Sequence, residues 1–184
     1  MNGDNPVRKT SIFLITLLLA CCLASCSAPP TIQEFKSETG GFSVMTPAPL
    51  QEAVQPVETQ SSKIDLHLFS AQQDDIAYFV AYCDYAPDLA RPDNAEKMLD
   101  GARDGAVGNT HGKLISETAI TLAGHPGREV VIEARGEDRP PVTIKGRLFM
   151  VQNRLYQITV VAPRSRAGDK AMDDFLQAFK LLGQ

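Results

Sequence analysis

The stretch Val142–Ala162 reads VTIKGRLFMV (142–151), QNR (152–154), LYQITVVA (155–162): two strand-forming runs around three polar residues. Valine, isoleucine and threonine recur in both runs, with Phe149 in the first and Tyr156 in the second, and such residues favour a pleated, half-buried surface. Neither run contains proline, so each can sit inside a sheet. Gln152-Asn153-Arg154 is short enough to close them into a hairpin. Upstream, Leu114–Leu122 and Glu129–Ala134 form a second pair, joined through Ala123-Gly124-His125-Pro126-Gly127. Four successive antiparallel strands are therefore expected. Downstream, Arg164–Gly168 is a polar loop, and Asp169–Leu182 is an amphipathic helix with Met172, Phe175, Leu176, Phe179 and Leu182 on its inner face.

Toward the amino terminus, Glu34–Glu38 and Phe42–Thr46 flank Thr39-Gly40-Gly41 as another hairpin, ended by Pro47 and Pro49. Leu50–Thr59 is a weak strand containing Pro56, which places it at an edge where a missing donor is tolerated. Lys63–Phe69 alternates, with Ile64, Leu66 and Leu68 facing one way and Asp65 and His67 the other. Gln72-Gln73-Asp74-Asp75 makes a turn, and Ile76–Tyr85 is apolar on both faces, as a covered central strand requires. After the loop Pro87–Asn94, with Asp93 or Asn94 as cap, Ala95–Val107 reads as a helix. Its apolar stripe is Met98, Ala102 and Ala106, flanked by Leu99 and Val107. Gly101 and Gly105 weaken it, and Gly108, Asn109 and Gly112 end it. Strands joined by short turns, with helices at two separate points, make an α+β fold: a central antiparallel sheet flanked by helices.

Three local signatures add a resemblance. Gly41-Phe42-Ser43-Val44-Met45-Thr46-Pro47 resembles the G-F-x-hydrophobic-x-x-P of the second strand in the Mog/PsbP-like superfamily. Leu122-Ala123-Gly124-His125-Pro126-Gly127 is similar to its L-x-G-x-P-(G/A) hairpin turn. The closing hairpin with Asn153-Arg154-Leu155-Tyr156, leading into Phe175-Leu176-x-x-Phe179, is the third. The resemblance spans residues 32–182 and implies an α/β/α sandwich. Such proteins serve as binding or assembly modules: PsbP is an extrinsic photosystem II subunit, and the Mog branch binds a small GTPase. Neither role transfers residue by residue to this chain, because a shared fold is not a shared function.

The first thirty residues concern address. Met1–Thr10 is polar with Arg8 and Lys9, and Ser11–Leu23 is an uncharged apolar run of 13 residues. A membrane-spanning helix needs roughly 20, so the run reads as the core of a secretory signal. Leu23-Ala24-Ser25-Cys26 then resembles the bacterial lipobox. Cleavage is expected between Ser25 and Cys26, with Cys26 the site of lipidation. Leu18-Leu19-Ala20-Cys21 is a poorer match, with leucine where a small residue is preferred. A plain signal peptide or a short uncleaved anchor is the alternative. The expected organisation is a signal peptide (1–25), a lipidated cysteine and proline-rich tether (26–31) and a single domain (32–184). The expected location is the cell envelope, facing the periplasm or exterior. In the family pattern Asp after the cysteine retains lipoproteins at the inner membrane, so Ser27 favours the outer membrane.

Composition narrows the chemistry. Without residues 1–25 the chain has 16 basic against 21 acidic side chains, dispersed rather than clustered, which argues against nucleic-acid binding. Cys83, in the run Ala77–Cys83, is the one cysteine left beyond Cys26 and reads as a small buried hydrophobe. His67, His111 and His125 lack zinc-site spacing and read as solvated polar residues. Asp74-Asp75 and Asp173-Asp174 lack the alternating ligands of a calcium loop. Glu137-Asp138-Arg139 before Pro140-Pro141 reads as a polar turn, and no nucleophile elbow or phosphate loop is present. Tyr78, Tyr82, Tyr85 and Tyr156 read as core residues with hydroxyls at the rim. No cofactor and no catalytic set is expected. The partners expected are the lipid bilayer, through Cys26, and an envelope protein, with no nucleic acid. The leading expectation is a non-enzymatic protein-binding or assembly accessory module. The alternative is a small-ligand or metal-ion binding module of the envelope.

Overall fold

A seven-stranded antiparallel sheet, in the order β3-β4-β5-β9-β8-β7-β6, organises the molecule. The computed structural model describes residues 31–58, 63–88, 92–135 and 140–183. Its elements are β1 (Gln33–Ser37), β2 (Phe42–Thr46), β3 (Gln51–Glu58), β4 (Lys63–Gln73), β5 (Ile76–Asp84), α1 (Ala95–Asn109), β6 (Lys113–Leu122), β7 (His125–Ala134), β8 (Val142–Val151), β9 (Arg154–Pro163), α2 (Lys170–Gln177) and β10 (Lys180–Leu181). The fold is α+β, as expected from the alternation of short-turn strands with two helices.

Two features depart from one sheet between helices. The first hairpin, β1–β2, does not join the large sheet but forms a three-stranded sheet, β1-β2-β10, against one of its faces. Helix α2 shares that face, and α1 covers the other. The second departure is the end of α2. The apolar spacing through Leu182 suits a helix, yet α2 stops at Gln177 because Lys180 and Leu181 pair with Ser43 and Phe42. Phe179 stays buried without the helix. It packs 5.4 Å from the Phe42 ring and 5.4 Å from that of Tyr156, which a further helical turn could not reach while β10 completes its ladder.

Turns are shorter than the sequence suggests. The β6–β7 turn is only Ala123-Gly124, both at positive φ (49° and 82°). That is the backbone twist a two-residue hairpin needs, and glycine supplies it at position 124 without steric cost. His125, Pro126 and Gly127 are therefore strand residues. Likewise Arg154 belongs to β9, leaving Gln152-Asn153 as the turn, and Gln72 and Gln73 belong to β4. The edge position of β3 is as expected, with Pro56 opposite Asp65 on its paired side. Thr59, at the end of that expected strand, lies outside the described residues.

Register assigns the faces. Tyr78, Val80 and Tyr82 of β5, with Tyr156, Ile158 and Val160 of β9, point toward the small sheet and α2, where Phe42, Val44, Met172 and Phe175 meet them. Cys83, Leu148, Met150 and Leu155 point the other way and pack with Leu99 of α1. Farther along α1, Ala106 and Val107 cover Ile132 and Ile144. The deepest residue of α1 is thus Leu99, fully buried, beside the stripe read from Met98, Ala102 and Ala106. Both faces of β5 are covered, which explains its unbroken apolar run.

Candidate functional site

Cys26 and Ser25, the expected lipidation and cleavage positions, lie outside the described residues, as does the Glu137-Asp138-Arg139 turn. The candidate site among the described residues is at the end of the sheet where β5, β8 and β6 finish. There Pro87, Ala95, Pro126 and Met150 line a cleft of about 500 Å³, and His125, Gln152 and Asn153 supply its polar atoms. The cleft follows from local chain behaviour. The two-residue turns bring His125-Pro126 and Gln152-Asn153 to the same end as the start of α1. Asn153 is fixed: its Nδ2 donates to the Tyr85 carbonyl (3.1 Å), and its own carbonyl accepts from the Tyr85 N–H (2.8 Å). Apolar walls with a few convergent polar groups suit binding of an apolar side chain or small molecule.

Beside this cleft, Arg154 joins the two sheets. Its Nε and Nη2 donate to the two oxygens of Asp84 at 2.6 and 2.7 Å, and its Nη1 donates to the carbonyls of Thr39 and Gly40, both at 3.0 Å. The guanidinium lies 4.3 Å from the Tyr82 ring centroid, a cation–π distance. The Tyr156 hydroxyl donates to the Gly40 carbonyl at 2.6 Å. The β1–β2 turn is therefore held by two side chains of β9. Asp84 holds the Arg154 guanidinium protonated even more firmly than its ordinary value requires. Sequence placed Arg154 in a loop. Its partnership with Asp84 depends on the β5–β9 register, between strands 70 residues apart, which no local pattern announces.

The tyrosines are more deeply set than a rim position implies. Tyr78, Tyr82 and Tyr156 are buried, and the Tyr82 hydroxyl has no hydrogen-bond partner among the described residues. Burial raises the pKa of all three, and that of Tyr85 up to about 12. His67 is not a freely solvated residue either. It stacks on Tyr82 at 4.4 Å between ring centroids and lies 3.4 Å from a Glu52 oxygen. His125 is half-buried in β7 rather than in a turn, while His111 is exposed as expected. Cys83 is buried, and burial pushes its thiol pKa up, consistent with an inert core cysteine.

Several other charges are internally paired. On the α1 face Arg128 contacts Glu96 and, through Nε at 3.1 Å, Glu117, which also accepts from Arg103. On the α2 face Lys145 meets Asp173 and Arg147 meets Glu129, both at 2.7 Å. Among the described residues, no three histidine, cysteine, aspartate or glutamate side chains are grouped to hold a metal ion. No described helix is long and apolar enough to cross a membrane.

No family model and no curated protein matches the chain. Solved structures do. The solution structure of cyanobacterial PsbP (CyanoP) from Synechocystis aligns with 86% of this chain and 98% of its own, at 15% identity and a TM-score of 0.53. The chain has a PsbP-like fold. A crystal structure from Bacteroides thetaiotaomicron is similar over 83% of this chain and 49% of its own, at 11% identity and a TM-score of 0.50. These likenesses concern architecture.

Proposed function

We propose that the mature chain is a lipid-anchored protein of the bacterial envelope whose PsbP-like domain binds a protein partner as an assembly or accessory module. The observation that carries this reading is Leu23-Ala24-Ser25-Cys26 following a 13-residue apolar run. Small residues at 24 and 25 let the extended chain enter a protease cleft, and the Cys26 thiolate is the nucleophile that takes the diacylglycerol. Two or three acyl chains then hold the protein stably, at roughly 0.8 kcal/mol per buried CH₂. Ser27 favours the outer membrane. The test is Cys26→Ala in cells fed an acyl analogue: labelling should vanish and precursor accumulate, whereas persistent labelling would move the site to Cys21 or Cys22. A pull-down from detergent-solubilised envelopes should return one stoichiometric protein.

The cleft between Pro87 and Met150 favours a second reading, a small-ligand module. Its size and mixed lining suit a small apolar molecule with one or two polar groups. Thermal shift against metals and metabolites separates the two, because a ligand that binds only the folded state must raise its melting temperature. A rise of several degrees would favour the second reading.

A further inference from the structure

We infer that the domain stands on the membrane by one end: the open end of the β1–β2 ladder, with Ile32 and Met45, meets the bilayer surface, and the cleft-bearing end points away. This rests on the lipid-anchor reading of Cys26. Only Ser27–Thr31 separate the anchor from Ile32, and a fully extended chain of that length spans at most about 20 Å. The tether enters at the start of β1, and Gln33 pairs with Thr46 at the end of β2. Arg154 and Tyr156, at the start of β9, hold the β1–β2 turn, so the open end of that hairpin lies toward the end of β9, where Arg166 contacts Asp75 and α2 begins. The Ala123-Gly124 and Gln152-Asn153 turns lie at the far end of ten-residue strands, which rise roughly 33 Å. The tether is thus shorter than the domain is tall, and the anchor holds the β1 end close to the lipid.

A second observation selects the side of that end. Ile32 is 56% exposed and Met45 41%, and these apolar side chains lie diagonally on the outward side of the β1–β2 pair, with Glu34 opposite Met45 and Lys36 farther along at headgroup level. Their chemistry fits the boundary between headgroups and acyl chains, where apolar side chains are buried against lipid. The occupant is therefore the lipid surface itself.

The test uses the full acylated chain in vesicles of phosphatidylethanolamine and phosphatidylglycerol. A donor dye is placed at Lys170→Cys, beside the anchor end, or at Gln152→Cys, at the cleft end, with an acceptor on the lipid headgroup. Transfer from position 170 should exceed that from position 152 by about twofold or more, as a separation of roughly 30 Å along the strands requires. Equal or reversed transfer from acylated protein overturns the inference. An unacylated amino terminus, read by mass on the same sample, overturns the anchor reading instead. Ile32→Ser with Met45→Ser should narrow the difference without reversing it, because the tether is intact, and an unchanged difference would show that these side chains do not seat the domain. If the face instead joins two copies, detergent-solubilised protein will sediment as a dimer and the double variant as a monomer, which also overturns the inference.

Discussion

Arg154 holds Asp84 with two donors and the β1–β2 turn with a third, so its loss frees two joints at once. Lysine keeps the charge but has no planar fork and cannot make the paired contact with Asp84 while reaching Gly40. Arg154→Lys is expected to cost about 2 kcal/mol in urea unfolding, the range of a lost charge-assisted hydrogen bond. Tyr82 predicts the opposite sign. Its hydroxyl is buried without a partner among the described residues, so Tyr82→Phe removes a desolvated dipole and no hydrogen bond. The variant should be more stable by about 1 kcal/mol, and a loss of stability would show that the hydroxyl is paired in solution. Gly127 is fixed by space: a Cβ there would stand 2.4 Å from Phe149 Cδ1 and 2.5 Å from the Leu148 carbonyl oxygen.

Helix α2 begins with a cap that local sequence does specify. The Asp169 carboxylate accepts from the Ala171 N–H at 3.0 Å, and that bond, followed by Arg166, lowers its pKa. Asp169→Ala should cost about 1 kcal/mol at neutral pH. The sign with pH follows from the lowered folded value. The stabilisation is full above the unfolded carboxyl pKa, about 3.9, and is lost as pH falls through the folded value. Wild type and variant should therefore converge in acid, which urea midpoints between pH 2 and 6 would show. Strands β1 to β9 and both helices were legible from turn residues and periodicity, because alternation and the 3.6 repeat record which side chains must leave water, whereas β10 fell inside the expected helix. The end of α2 was not. Met172, Phe175, Leu176 and Phe179 keep helical spacing whether or not the last of them is helical, and only the unpaired side of β2 decides it. The separate small sheet and the cleft were hidden for a related reason, since sheet membership is set by register between distant segments. Phe179→Ala should cost about 3–5 kcal/mol, as for other large aromatic deletions in a core.

At the scale of the whole molecule, the core holds five acidic protons that it disfavours losing. Cys83, Tyr78, Tyr82, Tyr85 and Tyr156 all have pKa values raised first by burial. For such groups the contribution to stability is complete below the unfolded values, about 8.5 for the thiol and 10 for the phenols. It is lost as pH climbs from there through the folded values. Melting temperature should hold steady to about pH 8 and fall progressively to pH 11, and Cys83→Ala should delay the onset of that fall. A thiol reagent should react with native Cys83 only as fast as the protein opens. The arrangement of β1, β2 and β10 has a mechanical outcome as well. Any pull on Ile32 from below runs along β1, parallel to the strand axis. All five β1–β2 residue pairs then bear the load together in shear rather than parting one after another like a zip.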